Sequence, residues 1–163
     1  MDLILLEPGD QEAAFGSKQK GPPPPWDGGG SLIPPDAVSV ATGQIGPCIE
    51  LISISQGMKQ QITTDVSNSA RTSGRPVVTE FTCVKYVDKS SVYMYKNCLS
   101  ATCLGSKDNP SKLHILRNTP GGSNTAPSMT AILTFELRDA LVSEIHLQTH
   151  PNDMPTEQFK LNF

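Results

Sequence analysis

Phe81-Thr82-Cys83-Val84-Lys85-Tyr86-Val87-Asp88-Lys89-Ser90-Ser91 changes its repeat halfway along. The first half alternates, with Phe81, Cys83 and Val87 on one side and Thr82, Val84 and Tyr86 on the other, as in a strand spanning Val77–Val87. The second half offers Asp88, Ser90 and Ser91, whose oxygens accept from the unpaired N–H groups of a first helical turn. A helix is therefore expected over Val92–Leu104, the only convincing one in the chain, stopped by Gly105 in the left-handed conformation. Val92, Tyr95, Leu99 and Cys103 form one apolar stripe, and Met94, Cys98 and Ala101 form another roughly opposite. A helix apolar on both sides needs two partners, its own sheet and a second surface such as a neighbouring subunit. Asp88 and Ser90 are thus assigned to the helix cap, and Tyr95 and Leu99 to subunit packing. Lys85 balances charge beside Asp88 and has no chemical role.

Working outward, Ile49 to Gln61 also alternates. Glu50, Ile52, Ile54, Gln56 and Met58 point one way, so Ile52 and Ile54 are expected in a core. Ser53, Ser55 and Gly57 point the other way and make a small, polar, wet face. Beyond the helix, Leu113–Arg117, Met129–Arg138, Leu141–Gln148 and Thr156–Phe163 read as strands separated by turns. In the second of these, Leu133, Phe135 and Leu137 alternate with Thr134, Glu136 and Arg138. The expected class is mainly β: an antiparallel β-barrel of two sheets, closed or nearly closed, with one flanking α-helix. No internal repeat is present.

The 163 residues fit one domain, 1–163, interrupted by a Pro/Gly-rich loop insertion at 8–37 that holds seven of the 14 prolines and six of the 13 glycines. Pro22–Pro25 should hold a polyproline II rod next to Trp26, either as a stiff loop packed locally or as a site for a proline-reading partner. A net charge of -3 lacks the basic field that draws in nucleic acid. No run approaches the length of a membrane span. Met1 to Pro8 has no basic n-region and no cleavage site, so it reads as a strand; synthesis in the cytoplasm and export by another route are expected. Cys48, Cys83, Cys98 and Cys103 match no zinc or redox spacing and read as buried thiols, although two disulfides are arithmetically possible. His146 and His150 lie at a strand end, where their offset separates them, and His114 stands alone. No catalytic residue, metal ligand or cofactor site is assigned, and the chain is not expected to be an enzyme.

The junction Phe81 to Ser91 resembles that of the Hcp (haemolysin-coregulated protein) family of type VI secretion, where a lysine, a hydrophobic pair, an aspartate and a serine lead into a single helix. Ile49 to Met58 is similar to the family's second strand, Leu137 to Ile145 to its pair of late strands, and Thr156 to Phe163 to its last. The four segments stand in the family's order across Cys48 to Phe163. The resemblance implies a structural tube subunit that forms homohexameric rings, stacks them, and carries or chaperones small effector proteins in the lumen. It implies as partners a valine-glycine repeat spike protein and a contractile sheath, with no nucleic acid and no membrane insertion. It also implies a cytoplasmic protein that is secreted on firing without a signal peptide. Ser55 matches a lumen-facing, cargo-touching position, and Ser53 shares its face, although a plain solvated strand face reads the same way. Thr63–Pro76 corresponds to the loop that reaches the next ring, which gives Asp65, Arg71 and Arg75 to ring stacking, with a solvated loop as the alternative. Three features depart from the family: the length of 8–37, Val92 where many members carry proline, and Phe163 standing slightly short of the usual end of the last strand. A tail-tube protein of a phage or other contractile particle, or a secreted effector or adaptor on the same fold, stays open.

Overall fold

The computed structural model describes residues 2–16, 32–33, 39–40, 43–63, 72–119 and 128–163. The chain begins with β1 (Asp2–Glu7), α1 (Gln11–Phe15), β2 (Leu32–Ile33), β3 (Ser39–Val40), β4 (Gly43–Gln44), β5 (Cys48–Leu51) and β6 (Ser53–Ser55). The short pieces β7 (Met58–Lys59), β8 (Ile62–Thr63), β9 (Thr72–Ser73) and β10 (Val77–Val78) come next. They lead to β11 (Phe81–Tyr86), α2 (Ser90–Ser100), β12 (Ser111–Thr119), β13 (Ser128–Leu137), β14 (Leu141–Gln148) and β15 (Thr156–Asn162). One sheet has the order β2-β5-β1-β12-β13-β3-β4 and the other β14-β15-β11-β6. Among the described residues every pairing is antiparallel except β13 with β3. The class is mainly β.

The core lies between the two sheets. Leu6, Ile49, Leu51 and Leu113 from the larger sheet meet Phe81, Cys83, Phe159 and Leu161 from the smaller, and Met94 of α2 closes one side. Each such side chain removed from water contributes about 1.5–3 kcal/mol before the entropy of ordering it is set against it. Phe81 meets Phe135 edge-on at 5.1 Å between ring centres, which ties β11 to β13. A smaller cluster of Leu5, Ile45, Cys48 and Leu116 packs separately from this core.

Five expectations are corrected. The two sheets remain separate ladders, so among the described residues no barrel closes. The alternating run from Ile49 breaks at Ile52, which is 45% exposed rather than in the core. Ile49 and Leu51 point inward before the break and Ile54 after it, a one-residue change of phase that hands the chain from one sheet to the other. The run Val77–Val87 is likewise two strands, β10 and β11. The helix covers Ser90–Ser100, because Ala101 turns left-handed at φ 52 and ends it early, with Leu104 buried in the core beyond. Gly105 is needed instead for closeness, since a Cβ there would lie 2.7 Å from the Ser111 nitrogen.

The fifth correction is a second helix, α1, inside the stretch 8–37. Asp10 accepts from the N–H groups of Glu12 and Ala13, and Gly16 stops the helix at φ 76. The Pro22–Pro25 rod, Trp26, Asp65 and Arg71 lie outside the described residues.

Candidate functional site

The strand-to-helix junction is built around a buried charge. Antiparallel pairing of β11 with β15 sets Lys85 opposite Glu157, each in phase with core residues of its own strand. Lys85 Nζ lies 2.6 Å from Glu157 Oε1 and 3.0 Å from Asp88 Oδ1, and donates to Tyr86 O and Ser91 Oγ, both at 3.1 Å. Ser91 Oγ donates to Glu157 Oε1, and Asp88 Oδ1 accepts from the backbone N–H and the hydroxyl of Ser90. Asp88 thus takes up the first N–H of α2 from two residues back, while Lys89 at the cap position makes no side-chain cap and Ser90, expected in the cap, is the first residue of the helix itself. The same network locks the start of α2 onto two strands of the smaller sheet. Glu157 Oε2 is buried without a hydrogen-bond partner among the described residues.

That lock fixes which way α2 faces. Met94 points into the core and is fully buried. Asn97 Nδ2 donates to Ala13 O at 2.7 Å, joining α1 to α2, and Gly16 lets Tyr93 lie close, since a Cβ would sit 2.2 Å from its hydroxyl. The opposite stripe stays in water: Val92 is 71% exposed, Leu99 89% and Tyr95 36%. The covered face carries Ser90, Ser91, Met94 and Asn97, so it is more polar than the expected second stripe, and Ala101 and Cys103 fall beyond the end of the helix.

The outward face of the smaller sheet is polar, row by row. Ser55, Thr82, Lys160 and Glu144 lie side by side across β6, β11, β15 and β14, and Ser53, Val84, Gln158 and His146 form the next row. Ser53 and Ser55 are exposed, as the alternation required. Lys160 Nζ donates to Glu144 Oε2, and His146 bonds the other oxygen of that carboxylate. The Lys160 bond first, then the His146 bond, holds the Glu144 carboxyl below its ordinary range; Glu144 in turn raises Lys160. Asn162 Nδ2 donates to Glu80 Oε1 at 2.9 Å on the neighbouring strand end.

Two small ladders, β7 with β10 and β8 with β9, pair apart from the two larger sheets. Met58, Ile62, Val77 and Val78 on them are exposed, as is Arg75. Elsewhere, His114 bridges Thr134 Oγ1 and Glu7 Oε2, each at 3.0 Å, while the Gly46 N–H donates to Glu7 Oε1, so one carboxylate clasps β1 to β12 and to the residues before β5. All four cysteines are free thiols. Burial pushes Cys83 up to about 12 and raises Cys48 further.

Ser53 and Ser55 lie on the outward face and Tyr95 and Leu99 on the exposed side of α2, whereas Lys85, read from the sequence as a peripheral charge, is fully buried. Its phase with Phe81 and Cys83, and the phase of Glu157 with Phe159 and Leu161, were the available signals for a buried pair. Glu80, Glu144 and Lys160 were missed because their grouping depends on strand register.

The family described as "Type VI secretion system effector, Hcp" matches residues 45–163. No curated protein matches the chain. A solved structure described as that of a type six secretion system protein has a TM-score of 0.64 at 14% identity, covering 100% of this chain and 80% of its own. Hcp1 from Salmonella typhimurium gives 0.54 at 16% identity, covering 99% and 81%. Hcp1 from the E. coli EAEC 042 pathovar, as a double mutant, gives 0.53 at 17%, covering 99% and 85%. At such identities these likenesses speak for the fold, and the family match carries the assignment. The chain belongs to the Hcp family of type VI secretion tube proteins.

Proposed function

We propose that this chain acts as one Hcp-like domain that closes into homohexameric rings, stacks them into the inner tube, and carries effector proteins against a polar lumen wall. The observation that carries the reading is the outer stripe of α2. Leu99 at 89% exposure and Val92 at 71% lie on a helix whose other face is already packed, and apolar surface of that kind is stabilised by covering it with a partner. In this reading Tyr95 and Leu99 pack against the neighbouring subunit, with Asp88 and Ser90 setting the helix angle. Ser53 and Ser55 face the lumen, where hydroxyls hydrogen-bond cargo without adhering to it. Asp65, Arg71 and Arg75 reach the next ring through weak contacts that add up around it.

The spike protein caps the tube and the contractile sheath drives it. The subunit waits in the cytoplasm and leaves with the tube, needing no signal peptide, and the role is structural. Negative-stain images of the purified protein, with mass spectrometry of what it carries, test this. Six-membered rings holding small proteins are expected; a monomer at every concentration would sink the reading.

A further inference from the structure

Apolar packing alone does not orient α2. Met94 is the one large apolar side chain that the helix buries fully, beside Ser90, Ser91 and Asn97, and apolar burial has no direction. Hydrogen bonds do. Toward the end of α2, Asn97 Nδ2 donates to Ala13 O. At its start, Ser91 Oγ accepts from Lys85 Nζ and from the Asp88 N–H, and donates to Glu157 Oε1. Lys85, Asp88 and Glu157 are shut from water there, which carries a desolvation cost that an apolar cluster of the same shape would not. Glu157 Oε2 adds to it, having no hydrogen-bond partner among the described residues. Stability therefore does not account for the network, whereas direction does. Leu99 stands about 12 Å along the helix axis from Ser91, so a tilt of about 10° at the start of α2 moves it about 2 Å sideways. Packed atoms forfeit about a quarter to a half of their attraction over a gap of only about 0.5–1 Å.

We propose that Lys85 and Glu157 are positioning residues for subunit assembly. Through Ser91 they set the angle at which α2 presents Tyr95 and Leu99 to the neighbouring copy. The proposal rests on reading the outer stripe of α2 as the subunit contact, and it separates two effects that a single substitution mixes. Removing one partner leaves a buried charge exposed to an apolar surrounding and destabilises the fold, whereas replacing the whole cluster by neutral groups of similar shape is often neutral or stabilising. The joint replacement keeps the fold and loses the direction, so its effect appears in assembly alone.

The test compares the full chain with three variants: the joint replacement Lys85→Met, Asp88→Asn and Glu157→Leu; Ser91→Ala; and the core control Ile115→Val. Sedimentation velocity over a concentration series gives the concentration at which rings are half-formed, and urea titration of the dilute protein gives the stability of the single chain. The joint variant should show a urea midpoint equal to or above the parent's, with the half-assembly concentration raised about tenfold or more. Ser91→Ala should raise it as well, while Ile115→Val, which also lowers the urea midpoint, should leave it unchanged. If the joint variant forms rings at the parent's concentration, the positioning role is overturned and the ring reading survives. If Ile115→Val weakens assembly as much as Ser91→Ala does, the network acts only through stability and the proposal is again overturned. Should the joint variant fail to fold, the comparison of Ser91→Ala with Ile115→Val decides. A parent chain that stays monomeric throughout overturns the ring reading itself, and this proposal with it.

Discussion

A lysine ammonium shut away from water between two carboxylates is held by contacts that work only as a set. Removing Lys85 leaves Asp88 and Glu157 buried with no cation, and a broken buried ion pair costs about 3–5 kcal/mol. Lys85→Met should therefore lower stability by about that much in urea titrations; a loss below about 1 kcal/mol would mean that water reaches the cluster. Glu7 predicts an acid dependence. The hydrogen bond from His114, ahead of that from the Gly46 N–H, keeps its carboxyl below the ordinary 4.5, against the opposing effect of burial. A lowered folded value means that the unfolded chain binds the proton more readily. The stabilisation is therefore complete above pH 4.5 and is lost as pH falls through the folded value. Glu7→Gln should flatten this part of the stability-versus-pH curve, and an unaltered acid slope would contradict the clasp. Neither Lys85 with Glu157 nor His114 with Glu7 is adjacent in the chain, so no local pattern names the pairs. What the alternation does say is that Lys85 and Glu157 share the faces of apolar residues, and that alone marks them as unusual.

α2 is held at its start by charge and ends on a strained residue. Ala101 adopts φ 52, a conformation that costs a side-chain-bearing residue about 1–2 kcal/mol and glycine almost nothing. Ala101→Gly should raise stability by about 1 kcal/mol, measured as a higher Tm with the same assembly. The outer stripe predicts the opposite pattern. Leu99 touches little within its own chain, so Leu99→Glu should change monomer stability by only about 0.5 kcal/mol. Sedimentation velocity should nevertheless show ring assembly abolished; intact rings would remove α2 from the subunit contact. The start of α2 was legible to within two residues, Ser90 instead of Val92, because starting signals lie within one turn, whereas its end was misplaced because the left-handed stop fell on alanine instead of Gly105. α1 was missed for a different reason: Asp10 and Gly16 are a cap and a stop with five residues between them, but the prolines and glycines around them dominate the composition.

Across the whole molecule, the proposed function uses three surfaces: the exposed side of α2, the polar face of the smaller sheet and the small ladders of β7 to β10. Deleting Arg71–Gly74 should spare single rings and impair tube growth, seen as short or absent tubes by electron microscopy; tubes of normal length would dismiss the stacking role. Alternation and capping are relations between near neighbours, so the mainly β class, the strands from β11 to β15 and the outward placing of Ser53 and Ser55 could be read directly from the order of residues. The bend at Ile52, the split into two sheets, the burial of Lys85 and the grouping of Glu80 with Lys160 could not. Each depends on which strand lies across the gap and in what register, and that is decided by how distant segments share one core.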